Sequence, residues 1–407
     1  MKVFVDPEFP PCNDEVKKGE SKPAIHWRRP IEFMDPDHPI EVFHKEIESK
    51  DIRAGPLSKK WLLCAISTLA ERPNLVKKLF LTSEYKNNGA YRLQINKSGV
   101  WTEVTIDDYM PCQLESSPLF TRTNGNELWV QLLEKAYAKL HGGYAQLDQE
   151  SHPNEALQDF TGFPTVVFDL AEGTTGTMLH ENPEKVFKIF EHYHEEGYLL
   201  SATAPGVISA EGDLSKRENQ LLPGHTYTIL RVQNIYSHKL IQIRNQWGNF
   251  IWDGAWCKKS LFWTQDIQKK IQPKLAEDDG TFWMNWEDFC KHFTQINVCK
   301  TREGEEIRVK GQFLRLKDEQ ENFTDRIVSK WFYCMNIAVP TTVQMGIHQV
   351  DENVKGVALR RTYLDTGFTV FRRTADGTEA AGVQDFLYGR DADFELFLEP
   401  GDYVILP

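Results

Sequence analysis

The chain has 407 residues, 41% hydrophobic and 12% aromatic, which is too apolar for a disordered polypeptide and long enough for two or three domains with their own cores. The net charge of −12 is spread over both halves and no basic run marks a phosphate-binding stripe, which argues against a nucleic-acid partner. The cysteines (Cys12, Cys64, Cys112, Cys257, Cys290, Cys299, Cys334) are scattered and never spaced Cys-x-x-Cys, as expected of a reducing, cytoplasmic compartment without structural zinc. The start, "MKVFVDPEFPPCN", has charge and proline where a signal peptide needs an apolar core, and the longest apolar run, "WLLCAISTLA", is too short to span a bilayer.

Up to about Asp51 the sequence is rich in proline and charge, which predicts an extended arm packed on the helical segments after it. Trp61 to Arg72 reads as a buried helix, with Ser58 as its cap candidate and Pro73 as its stop. Glu127 to Leu140 reads as a second, with Leu128, Leu132, Leu133, Ala136 and Leu140 on one face ahead of Gly142 and Gly143. From Thr165 the runs "TVVFDL", "HTYTILRVQNI" and "KLIQIRNQWG" are short, β-branched and aromatic, and predict a sheet. After Cys299 nearly all is strand-like, from "KWFYCMNIAVP" to "DFELFLEPGDYVILP", which predicts an antiparallel β-sandwich with Phe394, Leu396 and Leu398 facing its core.

Two features stand apart. Lys59 and Lys60 occupy the start of the first helix, where the dipole and the free N–H groups favour an anion. His225 in "GHTYTI" and Asn245 in "RNQWG" lie on successive strands and could form the base and orienter of a cysteine hydrolase. A histidine in a strand is otherwise an ordinary hydrogen-bonded structural residue.

The segments "VDPEFPP", "DIRAGPLSKKWLLCAISTLA", "ELWVQLLEKAYAKLHGGY", "ALQDFTG", "GHTYTI", "RNQWG" and "DDGTFWMNWEDF" occur in the order of a calpain protease core, which the sequence resembles to about Lys300. The strand-rich remainder is similar to a shortened calpain C2-like sandwich. The resemblance implies an α+β fold: a two-lobed, papain-like core with residues 1–164 as first lobe and 165–298 as second, then the sandwich over 299–407. It implies His225 and Asn245 as retained catalytic partners and Trp247 as the residue shielding them.

At the nucleophile the family pattern Q-G-A-L-G-D-C-W meets A-G-P-L-S-K-K-W, so Lys60 stands for the cysteine and Ala54 for the oxyanion glutamine. An ammonium is repelled by the dipole and the imidazole that stabilise a thiolate, and one missing oxyanion donor costs about 10²- to 10³-fold in rate. The expectation is a pseudo-protease that binds or scaffolds. The alternatives are calcium-dependent cysteine endopeptidase-like activity through a non-standard nucleophile, Cys64 or Lys60, and a lipid-binding C2-type module. Cys64, one turn into the helix, reads otherwise as a buried core cysteine.

For calcium, the resemblance matches Asp51 and Glu127 to a first-lobe site, with ordinary solvated or capping acids as the other reading of both and Glu127 suited to the first turn of its helix. In the second lobe Ile251, Lys258 and Thr281 replace ligands and only Asp279 is kept, so that site is expected to be lost. Inactive family members imply a protein partner of cytoskeletal character. Arg360, Arg361, Arg372 and Arg373 offer a lipid alternative, weighed against solvated or salt-bridged strand faces.

Overall fold

The computed structural model describes residues 3–12, 25–113, 117–148, 152–170, 182–206, 221–246, 248, 251–276, 279–302, 304–318, 320, 323–350 and 363–407. It divides into two compact units, one of Met1–Asn96 with Trp101–Arg302 and one of Lys97–Val100 with Glu303–Pro407.

In the first part of unit 1, the arm contributes β1 (His26–Arg28) and β2 (Ile52–Arg53), followed by α1 (Lys60–Ala70) and α2 (Pro73–Lys78). The strands β3 (Ala90–Lys97), β4 (Val100–Asp107), β5 (Met110–Cys112) and β6 (Arg122–Thr123) lead to α3 (Trp129–His141) and α4 (Pro153–Thr161). β1 pairs with β5 and β2 with β6, so the arm is stitched antiparallel to the segment before α3. Charges fasten it further. Asp6 N donates to Asp107 Oδ2 (2.8 Å), Lys139 Nζ donates to Asp6 Oδ2 (2.8 Å), and the fully buried Lys135 donates to Asp107 Oδ1 and to Tyr109 O.

α1 is buried from Leu62 to Ala70 and so packs on nearly all sides, as a central helix must. It begins one residue before the predicted start, and Ser58 does not cap it: the Ser58 hydroxyl accepts from Gly55 N (2.7 Å) inside the preceding loop, and Lys59 occupies the cap position without a side-chain capping hydrogen bond. Pro73 opens α2 directly. α3 starts at Trp129, two residues past Glu127, and stops at Gly142, whose φ of 88° is the left-handed cap that glycine adopts without cost. The β3–β4 hairpin was not expected from the sequence. Its signals are the buried Tyr91, Leu93 and Ile95 alternating with more exposed neighbours, and a Ser98-Gly99 turn with φ of 52° and 76°.

The second part contains β7 (Thr165–Asp169), α5 (Pro183–Glu195), β8 (Leu199–Thr203), β9 (Thr226–Ile235) and β10 (His238–Arg244). After these come α6 (Gln265–Ile271), β11 (Thr281–Asn285), α7 (Trp286–His292) and β12 (Gln295–Cys299). Its strands make one antiparallel sheet in the order β11-β10-β9-β8-β12-β7. Alternation along β11 sends Phe282 and Met284 into a core with Phe187, Phe190, Tyr227 and Trp286, and Trp283 into another with Leu240, Trp256 and Trp263. β9 and β10 join through Tyr236 and Ser237, both at positive φ (47° and 69°), a two-residue turn that brings the start of β9 beside the end of β10.

Unit 2 is strand throughout its described elements: β13 (Phe313–Lys317), β14 (Phe323–Ser329), β15 (Tyr333–Ile337), β16 (Thr341–His348), β17 (Asp365–Thr374), β18 (Gly377–Tyr388), β19 (Asp391–Leu398) and β20 (Gly401–Leu406). They pair antiparallel as β13-β14, β15-β20-β17-β18 and β16-β19. Leu398 is buried with Ile337, Val370 and Tyr403, and Phe394 and Leu396 pack against them. The fold is α+β, with its paired strands antiparallel.

Candidate functional site

The loop before α1 lies flat against residues 119 and 120. Leu57 N donates to Leu119 O (2.8 Å), and a Cβ at Gly55 would stand 2.0 Å from Phe120 O, so only glycine fits there. Ala54 is exposed at the loop's start, and Lys60 is exposed at the helix N-terminus with no acid in the first turn. The neighbouring Lys59 is met by a carboxylate from α3. Glu134, fully buried, accepts from Thr121 N (2.9 Å) and Thr121 Oγ1 (2.6 Å); burial pushes its carboxyl up to about 7, against the pull of those bonds and of Lys59.

His225 immediately precedes β9 and Asn245 immediately follows β10. His225 O accepts from Ala204 N (2.9 Å) and Asn245 N donates to Gly280 O (2.9 Å), so both backbones are fixed. The imidazole Nε2–H donates to Asn245 Oδ1 (3.0 Å), which leaves the lone pair on Nδ1. A Tyr227 ring stands edge-on at 4.8 Å. Burial, and then the positive charge of Lys60, hold the His225 imidazole down to about 4 although Asn245 favours its charged form. The structure thus brings Lys60, His225 and Asn245 to one place; Trp247 lies outside the described residues.

A depressed histidine has a consequence for stability. The unfolded chain takes up a proton at His225 below about 6.5 while the folded chain does not until about 4, so folding weakens as pH falls through that window, by about 3 kcal/mol in all. Replacing Lys60 with alanine should raise the His225 value in an NMR titration, yet leave it below 6.5 because burial, the larger cause, remains.

Cys64 lies one turn deeper and its thiol is pushed up to about 12 by burial, despite its weak bonds to Thr68 and Gln246. It belongs to a polar seam between α1 and the sheet. Thr68 Oγ1 and Thr228 Oγ1 are 2.9 Å apart, and Gln246 Nε2 donates to Thr228 Oγ1 (2.9 Å) and to Cys64 Sγ (3.5 Å). Arg244 donates to both Ser49 and Glu71, and Arg72 Nη2 donates to Gly197 O (2.5 Å). Sequence reasoning missed Thr68, Thr228, Gln246, Arg244 and Glu134. Gln246 alone had a signal, as a polar residue between Asn245 and Trp247.

Asp51 and Glu127 face one cavity of about 430 Å³, lined also by His44, Glu48, Lys50 and Asn124. Burial and then the charge of Asp51 lift the Glu127 carboxyl to about 7, and burial raises Asp51 as well. Glu127 Oε2 accepts from His44 N (3.3 Å) and Asp51 Oδ2 from Glu48 N (2.8 Å). No group of three or more His, Cys, Asp or Glu side chains able to hold a metal occurs among the described residues. Asp279 is otherwise engaged: burial would raise its carboxyl, but Thr281 N (3.0 Å) and Thr281 Oγ1 (2.6 Å) donate to it and hold it low.

The sequence model of the calpain family cysteine protease matches residues 4–300. The chain belongs to the calpain family. Over 317 residues it is 34% identical to the calpain-type cysteine protease ADL1 of Oryza sativa subsp. japonica, covering 73% of this chain and 14% of that protein. It is 31% identical to calpain-5 of Rattus norvegicus over 360 residues, 79% of this chain and 54% of the relative, and 31% identical to the rat calpain-2 catalytic subunit over 314 residues, 73% and 42%. The chain therefore spans from about a seventh to about half of these calpains. No described helix is long and apolar enough to cross a membrane.

Proposed function

We propose that this calpain-family chain is a pseudo-protease, a binding or scaffolding protein built on a protease core. One observation carries the reading: an ammonium, Lys60, stands at the N-terminus of α1 and helps to hold a buried His225–Asn245 pair neutral. A protease of this kind needs a thiolate there, stabilised by the helix and by an imidazolium. The thiol on the same helix, Cys64, is held near 12 and committed to the seam, which speaks against it as a substitute nucleophile. Ala54 supplies no side-chain donor to an oxyanion. The test is cleavage of denatured casein by the wild-type chain with calcium present. Turnover no faster than a buffer blank is expected; turnover abolished by Lys60→Ala or Cys64→Ala would overturn the proposal.

In this reading the lobes divide near residue 164, unit 2 is a C2-like sandwich, and the partner is a cytoplasmic protein of cytoskeletal character. The lipid alternative for unit 2 has less support: Arg372 donates to Pro400 O (2.8 Å), Arg373 reaches Cys334 Sγ (3.7 Å), and Arg360 and Arg361 lie outside the described residues.

Calcium fits the Asp51–Glu127 cavity in part, since two mutually repelling carboxylates await a cation while backbone carbonyls and water would have to complete the shell. Above about 4.5 the unfolded chain ionises Glu127 while the folded chain keeps the proton to about 7, so this group costs stability as pH rises through that window. A cation must displace that proton. Calcium should therefore raise Tm more at pH 8 than at pH 6, and Glu127→Gln should remove the gain, as scanning calorimetry would measure.

A further inference from the structure

Residues 256–274, "WCKKSLFWTQDIQKKIQPK", hold five lysines and one acid in a chain of net charge −12. At the same edge the chain turns apolar side chains outward: Leu261 is 99% exposed and Phe262 56%, close to Tyr236 at 62%. They sit on a firm platform. Phe262 stacks on Trp256 (5.5 Å, 26°), and Trp263 meets Trp256 edge-on (5.0 Å, 82°) while its Nε1 donates to Cys257 O (2.9 Å). The His238 ring lies 5.0 Å from Trp256, and Lys270 Nζ lies 4.7 Å from the centroid of the Tyr236 ring, so the β9–β10 turn, the Ser260–Trp263 loop and α6 share one surface.

Lys259, Lys269, Lys270 and Lys274 are exposed in this segment, Asp253 and Asp266 are exposed acids among the described residues there, and the exposed Glu184 beside the β9–β10 turn is paired with Lys239. Adjacent apolar side chains rimmed by polar groups mark an interaction site rather than ordinary surface scatter. Leu261 and Phe262 stand out from the surface instead of lining a groove, and lysines ring them; that shape and charge complement an anionic layer that apolar groups can enter.

We infer that this edge of unit 1 docks on an anionic lipid surface, with Leu261 and Phe262 entering the interfacial layer and the lysines meeting the headgroups. The surface is separate from the Lys60–His225 site, so the inference stands whether or not the chain is catalytic.

The experiment is co-sedimentation of the full chain with phosphatidylcholine vesicles, with and without phosphatidylserine. Binding only to the phosphatidylserine vesicles, weakened by salt, is expected. Leu261→Asp with Phe262→Asp should weaken it at least about tenfold. Lys259→Glu with Lys269→Glu and Lys270→Glu should weaken it about 10²-fold or more. These side chains are exposed, so unchanged thermal unfolding will show that the variants fold. Arg372→Ala with Arg373→Ala should bind like the wild type. No preference for phosphatidylserine, undiminished binding by the edge variants, or loss in the arginine variant would overturn the inference. So would competition by soluble polyglutamate that Leu261→Asp leaves intact, which would assign the edge to an acidic polypeptide.

Discussion

The double variant Lys60→Cys, Ala54→Gln will cleave denatured casein, and Lys60→Cys alone will do so about 10²- to 10³-fold more slowly. Position 60 is the first residue of α1, where the helix dipole favours a thiolate, and Ala54 is exposed, so a glutamine fits without disturbing the core. Removing the lysine also lifts one of the two causes that hold His225 near 4, and a thiolate in its place would raise the imidazole further. Asn245 already fixes the ring through Nε2, and Gly55 keeps the loop against Phe120. Ala54→Gln alone should stay silent, since a donor without a nucleophile has no oxyanion to stabilise. Equal activity of the single and double cysteine variants would mean that position 54 does not reach the oxyanion.

The largest loss of stability is expected from Lys135→Met, about 3–5 kcal/mol by chemical denaturation. Lys135 and Asp107 are both wholly buried, and burial lowers the lysine against the pull of Asp107. Methionine fills the volume and keeps contact with Phe9 and Trp27, over whose rings the ammonium now lies at 5.8 and 5.4 Å. It leaves Asp107 as a buried charge with, among the described residues, Asp6 N (2.8 Å) and Tyr109 N (3.0 Å) as donors. Replacing Asp107 with leucine as well should not recover the loss, because those two N–H groups would then be orphaned. A cost below about 1 kcal/mol would show that the arm is held by its apolar contacts alone.

The fold was legible where a period was long and pure. The run from Trp61 to Ala70 and the alternating β9 and β10 announced themselves, because burial on all sides or on one face leaves a repeat in the residue types. The start of α1 was misjudged because Ser58 has the chemistry of a cap, yet its hydroxyl is used by Gly55. Glu134 and Lys135 were illegible: a charged pair in a helix reads as a solvated face, and only the tertiary structure supplies Thr121 and Asp107 as partners. At the site, His225 and Asn245 could be paired from strand order, whereas the Thr68–Thr228–Gln246 seam joins residues up to 178 positions apart that no local pattern connects. The placement of Lys60 against His225 likewise needed the α1–β9 packing.

The most direct measurement is intact-mass spectrometry of the wild-type chain after incubation with a cysteine-reactive peptidyl epoxide and calcium. A pseudo-protease gives no adduct on the folded protein at Cys64, whose thiol is buried and held near 12, and none at Lys60, although burial lowers that ammonium somewhat. A stoichiometric adduct at either residue, formed by folded protein and lost on His225→Ala, would contradict that reading, because it would show a nucleophile activated by the very imidazole that Lys60 and burial hold idle.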